Sequence, residues 1–118
     1  MNRQEQIDAL QKALASLDSA IAQVQAALAT AASLSDIAQL NAQLARLQAE
    51  RQSVAFQLAN LQAAAGEIPA ISPDNAAKVR ALSADLDRAI VAAATVSATL
   101  DFANTVLGKA SQLRSALG

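Results

Sequence analysis

Apolar residues in the first quarter of the chain recur in alternating steps of three and four residues. They are Ile7, Leu10, Leu14, Leu17, Ile21, Val24 and Leu28. Such spacing is the heptad pattern of an α-helix whose apolar seam packs against other helices. A neighbouring column of Ala13, Ala20 and Ala27 widens this seam. The first segment is therefore predicted to be a helix that contacts two others at once.

The pattern restarts in a new phase after a short interruption. The second seam consists of Ile37, Leu40, Leu44, Leu47, Arg51, Val54, Leu58 and Leu61. Just before it, Ser33 and Asp36 have the spacing of an N-cap and the third helical residue. We predict an antiparallel hairpin of two helices, at about residues 3–31 and 34–65. The alternative is one helix of about 60 residues with a local register change, because neither Gly nor Pro interrupts residues 1–65.

A turn and a third helix are predicted to follow. Gly66 suits the left-handed position just after a helix, and Ser72-Pro73 is typical of an N-cap and a first helical residue. The expected fold is all-α, a single antiparallel bundle over residues 1–118 whose third helix spans about residues 73–116. That helix would be the longest, roughly 66 Å against roughly 42 and 47 Å. About 20 Å of it would overhang unless it bends near Gly108.

The later part of the third segment is apolar on two faces. From Ala89 to Leu107 the only charged residue is Asp101, and monomeric proteins rarely expose such a surface. We therefore predict an interaction face that makes the protein a homo-oligomer or binds a helical protein partner. Its residues are Val91, Ala98, Phe102, Val106 and Leu113. The alternative is that they complete the monomer's own core after a fold-back at Gly108.

Arg51 is the one polar residue in the two seams. In an antiparallel hairpin it lies opposite the stretch that ends at Asp18, so Asp18 or the adjacent Glu50 could pair with it. Such a pair would set the register of the hairpin. The other interpretation is that the Arg51 stem lies along the seam while its guanidinium reaches water.

Composition excludes most kinds of chemistry. The chain has no His and no Cys, so it lacks the commonest general base, the thiolate nucleophile and the usual zinc ligands. Its three Gly are isolated and form no phosphate-binding loop. We predict that the protein is not an enzyme, and that it binds neither a cofactor nor a metal.

Charge and hydropathy limit the kinds of partner. The net charge is −1 and the basic residues are scattered, which argues against nucleic acid. The longest strongly apolar, uncharged run covers 12 residues from Ala89 to Leu100, whereas a bilayer span needs about 20. The polar start of the chain also lacks the features of a secretory signal. A membrane partner is therefore unexpected, and the predicted location is the cytoplasm.

Two further functions stay open beside the helical interaction protein. In composition alone, with 32 Ala among 118 residues, the chain resembles the phasins, which are alanine-rich helical proteins that coat polyester granules. The resemblance implies adsorption to a lipid or granule surface. Interfacial helices usually combine Lys or Arg with bulky apolar residues, and this chain has few of either. The other function is that of a shape-based inhibitor or an accessory subunit of a larger complex.

Overall fold

The computed structural model describes residues 1–64, 66, 68, 70–89 and 95–118. These residues form four helices and no strand. The helices are α1 (Arg3–Thr30), α2 (Leu34–Ala63), α3 (Pro73–Arg88) and α4 (Val96–Ala116). The predicted all-α antiparallel bundle is confirmed. The prediction of three helices is wrong, as is the prediction that the third is longest, because α2 is the longest with 30 residues.

Each helix begins at a side-chain cap that accepts a hydrogen bond from a backbone N–H in the first turn. The cap residues are Asn2, Ser33, Ser72 and Thr95. The caps at Ser33 and Ser72 were predicted from the sequence and are confirmed, as is the hairpin of α1 and α2. Such caps satisfy amide donors that have no partner within the helix, which is why a helix can start at these points.

The third predicted helix is divided into two. α3 ends at Arg88, Ala89 is extended with φ −71° and ψ 114°, and Thr95 caps the start of α4. Gly108 lies inside α4 and marks no bend, so the predicted place of the fold-back is wrong. Folding back brings the apolar residues of α4 onto α1 and α2, where burial stabilises each large one by about 1.5–3 kcal/mol.

The end of α2 also differs from the prediction. The helix stops at Ala63, and Ala64 leaves it in an extended conformation with φ −63° and ψ 123°. Gly66 is not left-handed, since Gly118 is the one residue with positive φ in the part of the chain described. The chain exits α2 through extended backbone, and a left-handed glycine is therefore not needed.

The helices surround one apolar core. α1 and α4 contact each other in the middle, α2 packs on both from one side, and α3 packs on both from the other. No contact joins α2 and α3 among the described residues. The buried leucines and valines are Leu10, Leu17, Val24, Leu40, Leu47, Val54, Leu58, Val79, Leu82, Leu86, Val106, Leu113 and Leu117.

Ion pairs on the surface show how the helices run relative to one another. Glu5 pairs with Arg80 and Lys12 with Asp87, so α3 runs parallel to α1 at the end of the bundle where α1 begins. Asp85 also pairs with Lys109, which joins α3 to α4, and the contacts Gln43–Asn104 and Glu50–Arg114 show that α4 runs parallel to α2. Helices adjacent in sequence therefore alternate in direction, and α3 covers only the first half of α1.

Candidate interaction surface on α2

α2 has two apolar faces on opposite sides. The inward face carries Leu40, Leu47 and Val54, each fully buried against α1 and α4. Because successive residues rotate by about 100° around a helix, positions half a turn away repeat with the same heptad spacing on the far side. That far side of α2 faces solvent, so apolar residues on it are available to a binding partner.

We call this surface the outer stripe. It consists of Leu34, Ala38, Ala42, Ala45, Ala49, Gln52, Phe56, Ala59 and Ala63, and all of them are exposed. From Ala38 onwards the spacing alternates between four and three residues without a break. The stripe contains no charged residue. It therefore repeats the seam pattern of a coiled coil on the solvent side of the longest helix.

Two large side chains stand out on the outer stripe. Leu34 is 85% exposed and Phe56 is 70% exposed, and they are the exposed large hydrophobic residues of the described chain. Both lie on the same face of the same helix. Single exposed apolar residues are ordinary on protein surfaces, whereas a row of them along one helix indicates a binding surface.

Polar side chains border the outer stripe. Gln39, Ser53 and Asn60 follow one edge, and Asn41, Gln48 and Gln62 follow the other, all of them exposed. Arg46 is the one charged residue along these edges. An apolar centre with a polar rim is the usual anatomy of a protein–protein interface.

An open groove of about 530 Å³ adjoins Phe56 where α1 begins and α2 and α4 end. Its apolar lining residues are Leu10, Phe56, Leu61, Ala64, Ile68 and Leu117. Its polar lining residues are Gln6, Ser53, Gln57, Asn60 and Arg114. Among these, the Arg114 guanidinium is bound by Glu50. The groove extends the apolar surface around Phe56.

Two of the five residues predicted to form an interaction face on the third helix are buried. Val106 and Leu113 are 0% exposed and belong to the shared core, so they offer no surface to a partner. Ala98 and Phe102 are half-buried, and Phe102 packs against that core. Val91 lies outside the described residues. The alternative interpretation, that these residues complete the core, applies to Val106 and Leu113.

Arg51 and Asp18 form the predicted pair between α2 and α1. The Arg51 Nε donates to Asp18 Oδ1, and the two side chains remain 41% and 50% exposed. The Asp18 carboxylate raises the pKa of the Arg51 guanidinium by accepting this hydrogen bond. An ion pair this exposed contributes little stability. Its presence alone therefore does not test whether the pair sets the register of the hairpin.

Sequence reasoning missed a polar ladder between α2 and α4. Gln43, Glu50 and Gln57 are seven residues apart and so share one edge of α2. Gln43 is 2% exposed and its Nε2 lies 2.7 Å from Asn104 Oδ1. The signal available in the sequence was this repeat of polar residues in step with the leucine seam.

Glu50 pairs with α4 and not with its neighbour Arg51. Its Oε1 lies 2.7 Å from Arg114 Nε, and its side chain is only 11% exposed. The Glu50 carboxylate accepts this hydrogen bond and so raises the pKa of the Arg114 guanidinium, despite its partial burial. Gln57 Nε2 donates to the Arg114 backbone oxygen at 3.3 Å. These contacts hold α4 at one axial position along α2.

The described residues bring together no group of three or more acids that could hold a metal ion. No helix among them is both long and apolar enough to cross a membrane. Fold and surface together define an antiparallel four-helix bundle whose longest helix has an apolar face that no described part of the chain covers. No protein-family model, no curated protein and no solved structure matches the chain.

Proposed function

We propose that this protein is a non-enzymatic interaction protein that binds the apolar seam of another α-helix along the outer stripe of α2. The observation that carries the proposal is the 70% exposure of Phe56 within an uncharged heptad row. Transferring such a side chain out of water stabilises a complex by about 1.5–3 kcal/mol. A helical partner supplies the matching apolar surface.

The spacing of the outer stripe favours a helix over other partners. Residues four and three apart form a straight row along an α-helix, and a second helix packs along such a row. The alanines place little bulk between the two backbones, so the helices can approach closely. Phe56 then fills the space between small residues, such as alanines, on the partner helix.

The proposal keeps the predicted kind of partner and changes its location. A helical partner was expected on the third helix, through Val106 and Leu113 among others. Since those two side chains lie in the core, the proposal uses the exposed surface of α2 instead. The absence of His and Cys from the sequence supports the non-enzymatic part of the proposal, because the usual catalytic bases and nucleophiles are missing.

A photo-crosslinking amino acid at position 45 tests the proposal in cells that produce the protein. Ala45 lies in the outer stripe, and Ala22 is an exposed alanine on α1 that serves as the control position. Irradiation is expected to give an adduct of one defined mass from position 45 and none from position 22. Adding the Phe56→Ser substitution should remove that adduct.

Two outcomes would contradict the proposal. One is the absence of any defined adduct from position 45. The other is an equal yield from positions 45 and 22, which would show that the crosslinks report random collisions. The mass of the adduct also identifies whether the partner is a second copy or a different protein.

A further inference from the structure

We infer that α3 is a lid that opens as one unit and uncovers the surface of α1 and α4 on which it lies, while the other three helices stay folded. α1, α2 and α4 each contact the other two, so these three helices share an apolar core without the help of α3. Among the described residues α3 contacts α1 and α4 but not α2. Opening of α3 therefore leaves the contacts of α2 in place.

α3 contacts the core through one narrow row of side chains. Its buried residues are Ala76, Val79, Leu82 and Leu86, spaced three, three and four residues apart. All other residues of α3 are exposed or half-buried. An isolated helix of 16 residues is only marginally stable in water. α3 therefore keeps its helical form through this row, and it loses its packing and its helical structure together when it opens.

The polar contacts that hold α3 to the other helices lie on the surface. They are the ion pairs Glu5–Arg80, Lys12–Asp87 and Asp85–Lys109, in which every side chain is at least 34% exposed. Pairs this exposed contribute little stability and are screened by salt. α4 differs, because the Glu50 carboxylate that holds it to α2 is only 11% exposed. α3 thus lacks the shielded polar contact that α4 has.

The contact between α1 and α3 also contains a gap. An open cleft of about 330 Å³ lies between the two helices, and its lining includes the small side chains of Ala9, Ser83 and Ala84. Atoms that face a gap lose their partners for dispersion contacts, so they stabilise the docked helix less. This contact is the smallest between any two helices that touch in the described chain. α3 is therefore the helix that the bundle holds most weakly.

Opening exposes apolar surface on both sides of the lid. Val79, Leu82 and Leu86 leave the core when α3 opens. Ala9, which lines the cleft beside α3 and is only 6% exposed in the closed form, becomes accessible as well. Local openings of this kind involve the parts of a structure with few buried contacts. The closed form thus hides an apolar surface of α1 and α4 that the open form presents, separate from the outer stripe of α2.

Hydrogen–deuterium exchange of the whole chain, followed by mass spectrometry of peptic peptides, tests the inference. When opening and reclosing are fast, the exchange rate reports the equilibrium population of each opened form. After correction for intrinsic rates, the amides between Val79 and Leu86 should exchange together as one group. We expect them to exchange at least about tenfold faster than the slowest amides of α1, α2 and α4, a factor that corresponds to about 1.4 kcal/mol.

Two substitutions separate opening of α3 from unfolding of the whole bundle. Leu82→Ala removes a buried side chain of α3, so it should speed exchange in α3 about thirtyfold, the factor that about 2 kcal/mol implies. Gly108→Ala stabilises α4, which stays folded in the open form, and its added methyl group touches no other helix. It should slow the slowest exchange in α1, α2 and α4 about fivefold, as about 1 kcal/mol implies, and leave exchange in α3 unchanged.

Three outcomes would overturn the inference. One is exchange of α3 at the same rate as the slowest amides of the other helices. The second is an equal slowing of all four helices by Gly108→Ala, because the bundle would then unfold as a single unit. The third is loss of helix throughout the Leu82→Ala variant in circular dichroism, since α1, α2 and α4 should stay folded without a docked α3.

Discussion

Glu50 of α2 and Arg114 of α4 are joined by an ion pair, with 2.7 Å between Glu50 Oε1 and Arg114 Nε. Gln57, two helical turns further along α2, donates to the backbone oxygen of the same Arg114. α2 thus binds one residue of α4 at two points. Because Glu50 is only 11% exposed, this contact lies at the edge of the core and not on the open surface.

Replacing Glu50 by Ala should therefore destabilise the bundle. The substitution removes both hydrogen bonds to the Arg114 guanidinium, and bonds to charged groups contribute about 1.5–3 kcal/mol when shielded from water. Urea unfolding followed by circular dichroism measures the change. Asp18→Ala is the matched control, since it breaks the exposed pair with Arg51 and should shift the midpoint little. Equal effects of the two substitutions would contradict this prediction.

Leu113→Ala tests the placement of the predicted interaction face in the core. Leu113 is fully buried, so truncation should cost about 2–5 kcal/mol in the free energy of unfolding. Leu34→Ala is the comparison, because Leu34 is 85% exposed and its truncation should change stability by no more than about 0.5 kcal/mol. A small effect at Leu113 would show that α4 does not fold onto α1 and α2 in this way.

Gly108→Ala should stabilise the protein. Gly108 lies in the interior of α4, and a methyl group placed on it meets no atom within 4 Å. Alanine favours a helix over glycine by about 0.8–1 kcal/mol, so the urea midpoint should rise. If the chain instead bent at Gly108, the same substitution would be neutral or destabilising.

Stability should fall in acid, and Asp85 is one cause. The Asp85 carboxylate accepts from Arg88 and Lys109, and these bonds lower its pKa below the ordinary 3.8. A carboxyl with a depressed pKa contributes stability above its unfolded pKa and loses it as the pH falls through its folded pKa. The contribution is therefore complete at pH 7 and disappears below pH 3.8.

The Asp85→Asn variant isolates this effect. The urea midpoints of Asp85→Asn and of the parent protein should differ at pH 7 and converge as the pH falls below 3.8. Glu5 adds a second contribution in the same direction, because its bond from Arg80 also lowers its pKa. A difference between Asp85→Asn and the parent that stays constant with pH would contradict the assignment.

Adsorption to lipid, the function implied by the phasin-like composition, should not be observed. The outer stripe has one aromatic residue and its edges carry a single cation, Arg46, whereas interfacial helices combine several bulky residues with several basic ones. Flotation with vesicles of neutral and of anionic phospholipid should leave the protein in the dense fraction. Flotation that Phe56→Ser abolishes would instead support a surface-coating function.

The caps and seams of the first two helices were predictable because they are local features. Ser33 and Ser72 mark helix starts through hydrogen bonds that span three residues, and the leucine spacing depends only on the helical repeat. The break before Thr95 was not predictable in this way. The segment is apolar on most sides, so either one long helix or a fold-back satisfies its pattern, and the choice depends on distant residues.

The candidate surface shows the same division on α2. The sequence by itself determined that this segment is a helix with two heptad rows, one of leucines and valines and one mainly of alanines. The leucine row was predicted to face inward, and only the tertiary structure decided that the alanine row stays exposed, since that depends on where the other helices lie around α2. The row with Leu40 and Leu47 took the core because larger side chains remove more apolar surface from water. Phe56 was left on the solvent side, where another helix can reach it.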